Sequence, residues 1–447
     1  MRARALRGLP FVLAIVGLLA PGSHAYAAPA PHAVPNDDAF DDAAEDETLD
    51  DGEPVPNREP LTFRGYVDVG YAKAQGNGTS YAPNDTRLPA DYRVDTFAPA
   101  VNSFGDVAAT DAGNRFVNGF LPTTTGQGGK GSFLLNVLSL DTRYEPEGSP
   151  LTIFARVQLF PRYLDGQEQS RLWVEQAFGR LQPFASKEFT ITLGKLDSVF
   201  GIEYLENQSN FRTGVTPSLF ARYTTGRSVG AKVFFRQQIP ALWSALSLNA
   251  SATNSGTFVE ALQPTSRSLT GTPVLAARLG YEFNHPRVGV KLGASGLYGP
   301  RNDQTSAEAE QRMFGVDARV FLLGLALSGE YLDVRKGLGA DTGKYTGLGV
   351  YPLASGFEAR GFYAQAAYVL RVGWRALSNI VPYGRYERRR AAFEGFGSLT
   401  VDRLTAGLRL DFWESLLVKV EFLRNRELAG ALPVNNDVLT SSVVFSW

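Results

Sequence analysis

The stretch VLAARLGYEFNHPRVGVKLGASGLY, residues 274–298, contains two segments of alternating polarity on either side of an Asn-His-Pro turn. In the first segment Leu275 and Leu279 fall on one face, and Arg278 and Glu282 fall on the other. Successive side chains of a β-strand point to opposite faces, so a repeat of two predicts a strand with one apolar and one polar face. The second segment alternates in the same way, and the stretch therefore predicts an antiparallel hairpin.

The same alternation recurs along the chain from residue 61 onward. It predicts sixteen strands, at residues 61–71, 132–145, 151–160, 171–181, 187–195, 228–237, 242–252, 274–283, 287–298, 313–323, 325–334, 360–370, 381–390, 399–412, 415–424 and 437–447. An even number of strands suits a closed barrel that begins and ends on the same side of a membrane. One face of each strand then contacts lipid, and the other faces a water-filled lumen.

The connections between these strands favour a transmembrane barrel. If residue 61 lies on the periplasmic side, the odd-numbered connections are long and the even-numbered ones, such as 146–150 and 284–286, are short. Outer-membrane barrels combine short periplasmic turns with longer extracellular loops. The sequence thus predicts an all-β, antiparallel transmembrane barrel of about sixteen strands. A soluble β-sandwich or propeller is the alternative.

The composition excludes several classes of site. No apolar run reaches the roughly 18 residues that a transmembrane helix needs. The absence of cysteine excludes disulfides, thiolate metal sites and a lipoprotein anchor. In the predicted barrel, histidine occurs only at His285, in a short periplasmic turn, where it is badly placed as the general base of an outer-membrane enzyme. The sequence predicts no enzyme, no cofactor and no metal site, and a hydrolase that uses carboxylates alone is the open alternative.

The first sixty residues differ from the rest of the chain. Residues 1–27 combine three arginines, a short apolar core and a small-residue end, which predicts a secretory signal peptide rather than a buried N-terminal helix. Residues 28–60 contain eleven acids and one base, and we expect a disordered periplasmic segment rather than a calcium-binding loop. Residues 61–447, which hold 40 bases and 34 acids, are expected to form the barrel.

The longest connection rich in apolar residues is residues 198–228. It carries Glu203, Arg212, Arg222 and Arg227 among large apolar side chains. A loop of that composition should pack against a surface, and the inner wall of the barrel is the nearest one. We therefore expect this third extracellular loop to fold inward and constrict the pore.

Alternation also assigns charged side chains to the lumen, because a charge that faces lipid costs about 2–4 kcal/mol near the middle of the bilayer. The predicted pore-lining bases are Arg64, Arg143, Arg156, Lys232, Arg236, Arg385, Arg389, Arg403 and Arg409. These charges either pair with inward-facing acids and keep the lumen wet, or bias the pore toward anions.

Three motifs resemble the phosphate-selective porin O and P family and related general porins. They are Glu175-Gln-Ala-Phe, Gly194-Lys-Leu-Asp followed by Phe200-Gly-Ile-Glu, and Thr225-Gly-Arg-Ser-Val-Gly. The resemblance implies a sixteen-stranded barrel that forms a homotrimer and whose third loop narrows the pore. It implies that Glu203, Arg212, Arg222 and Arg227 lie at or near the constriction.

The expected function is a passive diffusion channel, a porin, for small hydrophilic solutes or ions in the outer membrane of a Gram-negative bacterium. The last strand, which ends at Trp447 after Leu439 and Phe445 on the same face, resembles the signal that outer-membrane barrels present to their assembly machinery. Two alternatives stay open. One is a structural or adhesive barrel whose first loop, residues 72–131, binds a partner, and the other is a barrel enzyme.

Overall fold

The computed structural model of this chain describes residues 60–74, 132–164, 167–184, 188–206, 208–224, 226–254, 272–300, 310–336, 357–393, 397–413, 415–428 and 437–447. The predicted signal peptide, the acidic segment up to residue 59 and the connection at residues 75–131 lie outside them. No helix in the described residues is long and apolar enough to cross a membrane.

Sixteen strands make up the described sheet, each antiparallel to its neighbours. They are β1 (Leu61–Ala74), β2 (Ser132–Tyr144), β3 (Leu151–Leu164), β4 (Gln167–Leu181), β5 (Phe189–Asp197), β6 (Arg227–Ile239), β7 (Ser244–Thr253), β8 (Val274–His285), β9 (Val288–Pro300), β10 (Glu310–Leu322), β11 (Leu325–Lys336), β12 (Phe357–Tyr368, continued by Leu370–Arg371), β13 (Leu377–Phe393), β14 (Gly397–Phe412), β15 (Leu416–Glu427) and β16 (Val438–Ser446). A short helix α1 (Ala221–Thr224) and two 3-10 turns, Glu203–Glu206 and Pro240–Leu242, complete the described elements.

The sheet closes on itself. Strand β1 pairs with β2 on one side and with β16 on the other, from Tyr66 opposite Ser446 to Ala74 opposite Val438. Closure leaves no strand edge exposed, which a barrel in lipid requires. The predicted fold and all sixteen predicted strands are therefore confirmed.

The connections separate the barrel into two ends. Short turns such as Pro286–Arg287 and Leu323–Gly324 share one end with both Pro60 and Trp447, and we call it the short-turn end. Two connections predicted to be long are short instead: β3 and β4 pair as far as Leu164 and Gln167, and β13 and β14 as far as Phe393 and Gly397. Extra ladder hydrogen bonds extend these strands beyond the predicted boundaries, because backbone pairing continues where the side-chain alternation has stopped.

The outer face of the barrel is apolar. Large side chains that sequence alternation assigns to this face are solvent-exposed in the isolated chain; examples are Leu193, Leu275, Leu279, Phe314, Leu404 and Phe445. Exposed Trp243, Trp374 and Trp413 lie at the short-turn end. An apolar band with aromatic residues at its border is the surface that a barrel presents to a bilayer.

A charge in the middle of this band should destabilise the barrel. Leu279 is 62% exposed at the centre of β8, and we expect Leu279→Arg to lower the free energy of unfolding in lipid vesicles by about 2–4 kcal/mol. The control is Leu323→Arg, at an equally open position in a turn of the short-turn end, which should cost less than about 1 kcal/mol. Urea titration of both variants refolded in vesicles measures the difference, and equal costs would contradict a lipid-facing β8.

Candidate functional site

The segment between β5 and β6, residues 198–226, lies inside the barrel, and we call it the inner loop. Its described side chains are almost all buried, although it joins two strands on the end of the barrel with long connections. The fully buried ones include Val199, Phe200, Val215, Thr216, Phe220, Tyr223 and Thr224. A connection that pointed into solvent would expose such side chains, so the predicted inward folding is confirmed.

An apolar cluster fixes one side of the inner loop. Phe200, Leu219, Phe220 and Tyr223 supply the loop's part of this cluster. The wall contributes Val274, Ala276, Leu297, Met313, Leu332, Val334 and Ala359 from β8 to β12. These wall residues point into the lumen, where alternation alone would lead one to expect polar side chains. The apolar patch therefore seals the lumen between the inner loop and β8–β12.

The chain turns sharply at Gly201 as it enters this cluster. Gly201 has a φ of 77°, and a Cβ at this position would collide with the carboxylate of Glu330. The backbone N–H of Gly201 donates to Ser295 Oγ at 3.1 Å, and that of Ile202 donates to Glu330 Oε1 at 3.2 Å. The Phe-Gly-Ile-Glu motif thus combines an apolar anchor with a glycine that allows a wall carboxylate to approach the backbone.

Basic side chains on the adjoining wall, β13–β15, bind the carbonyl groups of the inner loop. Lys419 on β15 is fully buried and donates to the carbonyl oxygens of Ser209, Arg212 and Gly214. Arg385 on β13 donates to the carbonyls of Thr216 at 3.0 Å and Pro217 at 3.1 Å. Arg403 on β14 donates to the Pro217 carbonyl at 2.6 Å, and Arg389 on β13 donates to that of Leu219 at 3.5 Å.

Acidic side chains on the same wall accept hydrogen bonds from the loop's N–H groups. The N–H of Thr216 donates to Glu421 at 2.8 Å, and the N–H of Leu219 donates to Glu387 at 2.8 Å. Glu387 also receives a hydrogen bond from Arg403. We call Arg385, Glu387, Arg389, Arg403, Lys419 and Glu421 the wall clamp. The wall clamp binds mostly main-chain groups and so holds the path of the loop, although Arg385 also donates to the hydroxyl of Thr216 at 3.2 Å.

The ends of the inner loop are tied by residues from the motifs that suggested the resemblance. Arg227, the first residue of β6, contacts Glu175 at 2.8 Å and Asp197, the last residue of β5, at 2.6 Å. Gln176 donates to Asp197 as well. These contacts close the base of the loop, and they explain why an arginine and two acids occur at those motif positions.

On the side of β1–β6 the inner loop leaves space. A cavity of about 250 Å³ opens at the short-turn end, and we call it the vestibule; its lining includes Thr62, Arg64, Tyr66, Asp141, Arg143, Phe154, Arg156, Arg180, Asn210, Phe211 and Trp447. A second, narrow cavity of about 20 Å³ shares the lining residues Arg156 and Arg180 with the vestibule. The narrow cavity is also lined by Tyr204, Gln208, Asp197, Arg227 and Lys232. We call these two polar cavities, which lie between the inner loop and β1–β6, the side passage.

Of the four residues expected at the constriction, Arg227 lines the narrow cavity, and the side chain of Arg222 lies outside the described part of the chain. Glu203 is buried and accepts hydrogen bonds from the N–H and the hydroxyl of Ser218, inside the loop itself. Burial raises the pKa of Glu203 above its ordinary value, and the two hydrogen bonds from Ser218 oppose that rise. Arg212 is also buried, and its carbonyl accepts from Lys419.

The nine expected lining residues divide into three groups by position. Arg385, Arg389 and Arg403 belong to the wall clamp. Arg64, Arg143, Arg156 and Lys232 line the side passage. Arg236 and Arg409 lie near the short-turn end, where they contact Glu282 and Asp411, each at 2.6 Å.

Sequence reasoning missed Arg180, which lines both cavities. A β-bulge lies in β4, where Arg156 pairs with Gln176 and Val157 pairs with Val174. The extra residue, Glu175, reverses the alternation, so that side chains beyond it change face. The changed face becomes clear only in the structure, where Arg180 is buried and its guanidinium lies over the ring of Phe178. The wall clamp was also missed as a unit, because its partners are backbone groups about 170 to 210 residues distant in the chain.

Comparison with known proteins supports the barrel fold. No protein-family model matches the chain, and no curated protein matches its sequence. Among solved structures, the outer membrane channel DcaP of Acinetobacter baumannii aligns with a TM-score of 0.50 at 11% identity, covering 87% of this chain and 97% of that one. OmpT of Vibrio cholerae gives 0.47 at 9% identity over 88% and 99%, and an anion-selective porin from Comamonas acidovorans gives 0.46 at 10% over 87% and 99%. The chain thus has the fold of an outer-membrane β-barrel channel, in agreement with the predicted location in the outer membrane of a Gram-negative bacterium.

Proposed function

We propose that this protein is a passive outer-membrane porin for small hydrophilic solutes, and that it prefers anions. Solutes pass along the side passage, between the inner loop and β1–β6. The observation that carries this proposal is the charge of the lining: six basic side chains and two acidic ones border the two cavities. The bases are Arg64, Arg143, Arg156, Arg180, Arg227 and Lys232, and the acids are Asp141 and Asp197.

The physical reason for anion preference is the focusing of the electric field in a narrow polar channel with low-dielectric walls. Part of the basic charge is balanced, since Arg156 contacts Asp141 at 2.6 Å. Arg227 contacts Asp197 at 2.6 Å and Glu175 at 2.8 Å, and Arg143 contacts Glu145 at 2.6 Å. The lining itself still holds six bases against two acids, and in this proposal that excess makes the potential along the passage positive. Pore diameter and the sign of the lining charge set selectivity in such channels.

The position of the passage follows from the way the inner loop is held. Apolar packing on β8–β12 and the wall clamp on β13–β15 fill the opposite side of the lumen. Anions therefore meet Tyr204 and Gln208 of the loop on one side and Arg156 and Arg180 on the other. We propose this narrow cavity as the constriction. Glu203 and Arg212, which the sequence suggested for the constriction, instead stabilise the inner loop through buried hydrogen bonds.

Reversal potential in a KCl gradient tests the proposal. Wild-type protein in planar bilayers should pass current with a reversal potential on the chloride side. In the double variant Arg64→Gln, Arg180→Gln the reversal potential should shift toward the cation side, with about a fivefold change in the permeability ratio, or about 1 kcal/mol of selectivity. The control, Arg390→Gln, neutralises an arginine that alternation places on the outer face, and it should leave the potential unchanged. Equal potentials in all three proteins would remove these arginines from the path.

A folded barrel that passes no current would favour the second candidate, a structural or partner-binding barrel. The observation that favours this second candidate is the small volume of the narrow cavity, about 20 Å³, which is near the size of a single water. The porin proposal further includes a homotrimer, assembly through the C-terminal strand that ends at Trp447, and no enzymatic activity.

A further inference from the structure

The N-terminal acidic segment joins the barrel at the rim of the vestibule. The carbonyl of Pro60 accepts a hydrogen bond from the N–H of Glu145 at 2.7 Å, and Glu145 in turn contacts Arg143 at 2.6 Å. Thr62, two residues after Pro60, lines the vestibule together with Arg143. The chain that precedes residue 60 therefore starts within a few ångströms of the vestibule lining.

The charges of this segment and of the vestibule are opposite. Residues 37–53 contain ten carboxylates and no base. The lining of the vestibule includes Arg64, Arg143, Arg156 and Arg180 and one acidic side chain, Asp141. Two acids outside the lining, Glu145 and Glu175, contact Arg143 and Arg156, so the basic excess is smaller than the lining alone suggests. At physiological ionic strength charges attract over about 8 Å, so a tethered polyanion beside the rim falls within that range.

The tether is short enough to raise the local concentration of the segment. Only residues 54–60 separate its last carboxylate from Leu61, and seven extended residues span at most about 25 Å. A short tether gives an effective concentration in the millimolar range, which makes even weak ionic contacts effective. A free solute anion has no such advantage.

We infer that residues 37–53 bind the arginines of the vestibule and compete there with permeating anions. The segment is thus an intramolecular, salt-sensitive ligand of the pore mouth, and removing its charge increases anion flow. The effect on current rests on the proposed function, whereas the binding itself does not.

The first test uses the full chain with its ten carboxylates at residues 37–53 changed to amides (Asp→Asn, Glu→Gln). We expect roughly twofold higher conductance than wild type at 0.1 M KCl and no difference at 1 M KCl, where the screening length falls to about 3 Å. A synthetic peptide of residues 37–53 should block this variant from the short-turn side only, and its amide counterpart should not block. Equal conductance of the two proteins at 0.1 M KCl, or block by both peptides, would overturn the inference.

The second test separates this inference from the porin proposal. Fluorescence anisotropy of the labelled acidic peptide measures its binding to the amide variant in detergent, whether or not the barrel conducts. Binding should weaken at least tenfold on adding Arg64→Gln and Arg180→Gln and remain unchanged on adding Arg390→Gln. Absence of salt-sensitive binding overturns the inference even if the protein is an active porin, and binding without current would overturn the porin proposal alone.

Discussion

Replacing Phe200 by alanine is expected to release the start of the inner loop and to raise single-channel conductance several-fold. Phe200 is fully buried and packs in the apolar cluster with Met313 and Leu332. Truncation of a buried phenylalanine costs about 3–5 kcal/mol, from lost burial and from the cavity left behind. The inner loop has no strand ladder of its own, so this loss falls on the loop's position rather than on barrel closure.

Conductance in planar bilayers and heat resistance of the folded band on gels together check this result. Phe314→Ala is the matched control, because Phe314 is the next residue after Met313 but faces outward and is 53% exposed. We expect the control to conduct like the wild type. Lower heat resistance of Phe200→Ala without any gain in conductance would mean that the inner loop does not limit the pore.

The strands and the inward course of the loop were predictable from sequence for one physical reason. A bilayer penalises charge on one face of every strand, so the period of two is enforced along the chain and can be read locally. The apolar residues of the loop, such as Phe200 and Phe220, required a buried surface and pointed to the lumen in the same way. The sequence pattern therefore predicts the fold wherever the choice between lipid and water alone decides which face of the strand a side chain occupies.

The wall that receives the loop was not predictable in this way. Arg385 and Arg403 look like pore-lining charges in the sequence, yet they bind the carbonyl of Pro217 from strands far along the chain. Backbone acceptors carry no sequence signal, so nothing at residue 217 identifies its partners. The apolar lumen side of β10 and β11, at Met313 and Leu332, was the one available clue. Apolar residues at strand positions that face the lumen, where polar residues are otherwise found, indicate where a barrel binds its own loop.

Removing the ammonium group of Lys419 should have an effect as large as that of Phe200→Ala, in the middle of the loop. Lys419→Met keeps the length of the side chain but leaves the buried carbonyls of Ser209, Arg212 and Gly214 without this donor. Each buried polar group that loses its partner costs about 1–3 kcal/mol. We expect larger and noisier conductance, with frequent switching between levels. The control, Lys73→Met, changes an exposed lysine on β1 and should leave the current traces like those of the wild type.

The double variant Phe200→Ala, Lys419→Met decides whether the inner loop moves as one body. Phe200 fixes the loop on β10–β11, and Lys419 fixes it on β15, farther round the barrel wall. If the loop is released as a unit, either substitution frees it and the double variant conducts no more than the larger single variant. If the two halves are held independently, the gains in conductance add, as distant substitutions usually do. Because the wall clamp and the apolar cluster meet at Leu219, which donates to Glu387 and packs beside Phe220, we expect release as a unit. Additive gains would contradict that coupling and would assign separate openings to the two sides of the loop.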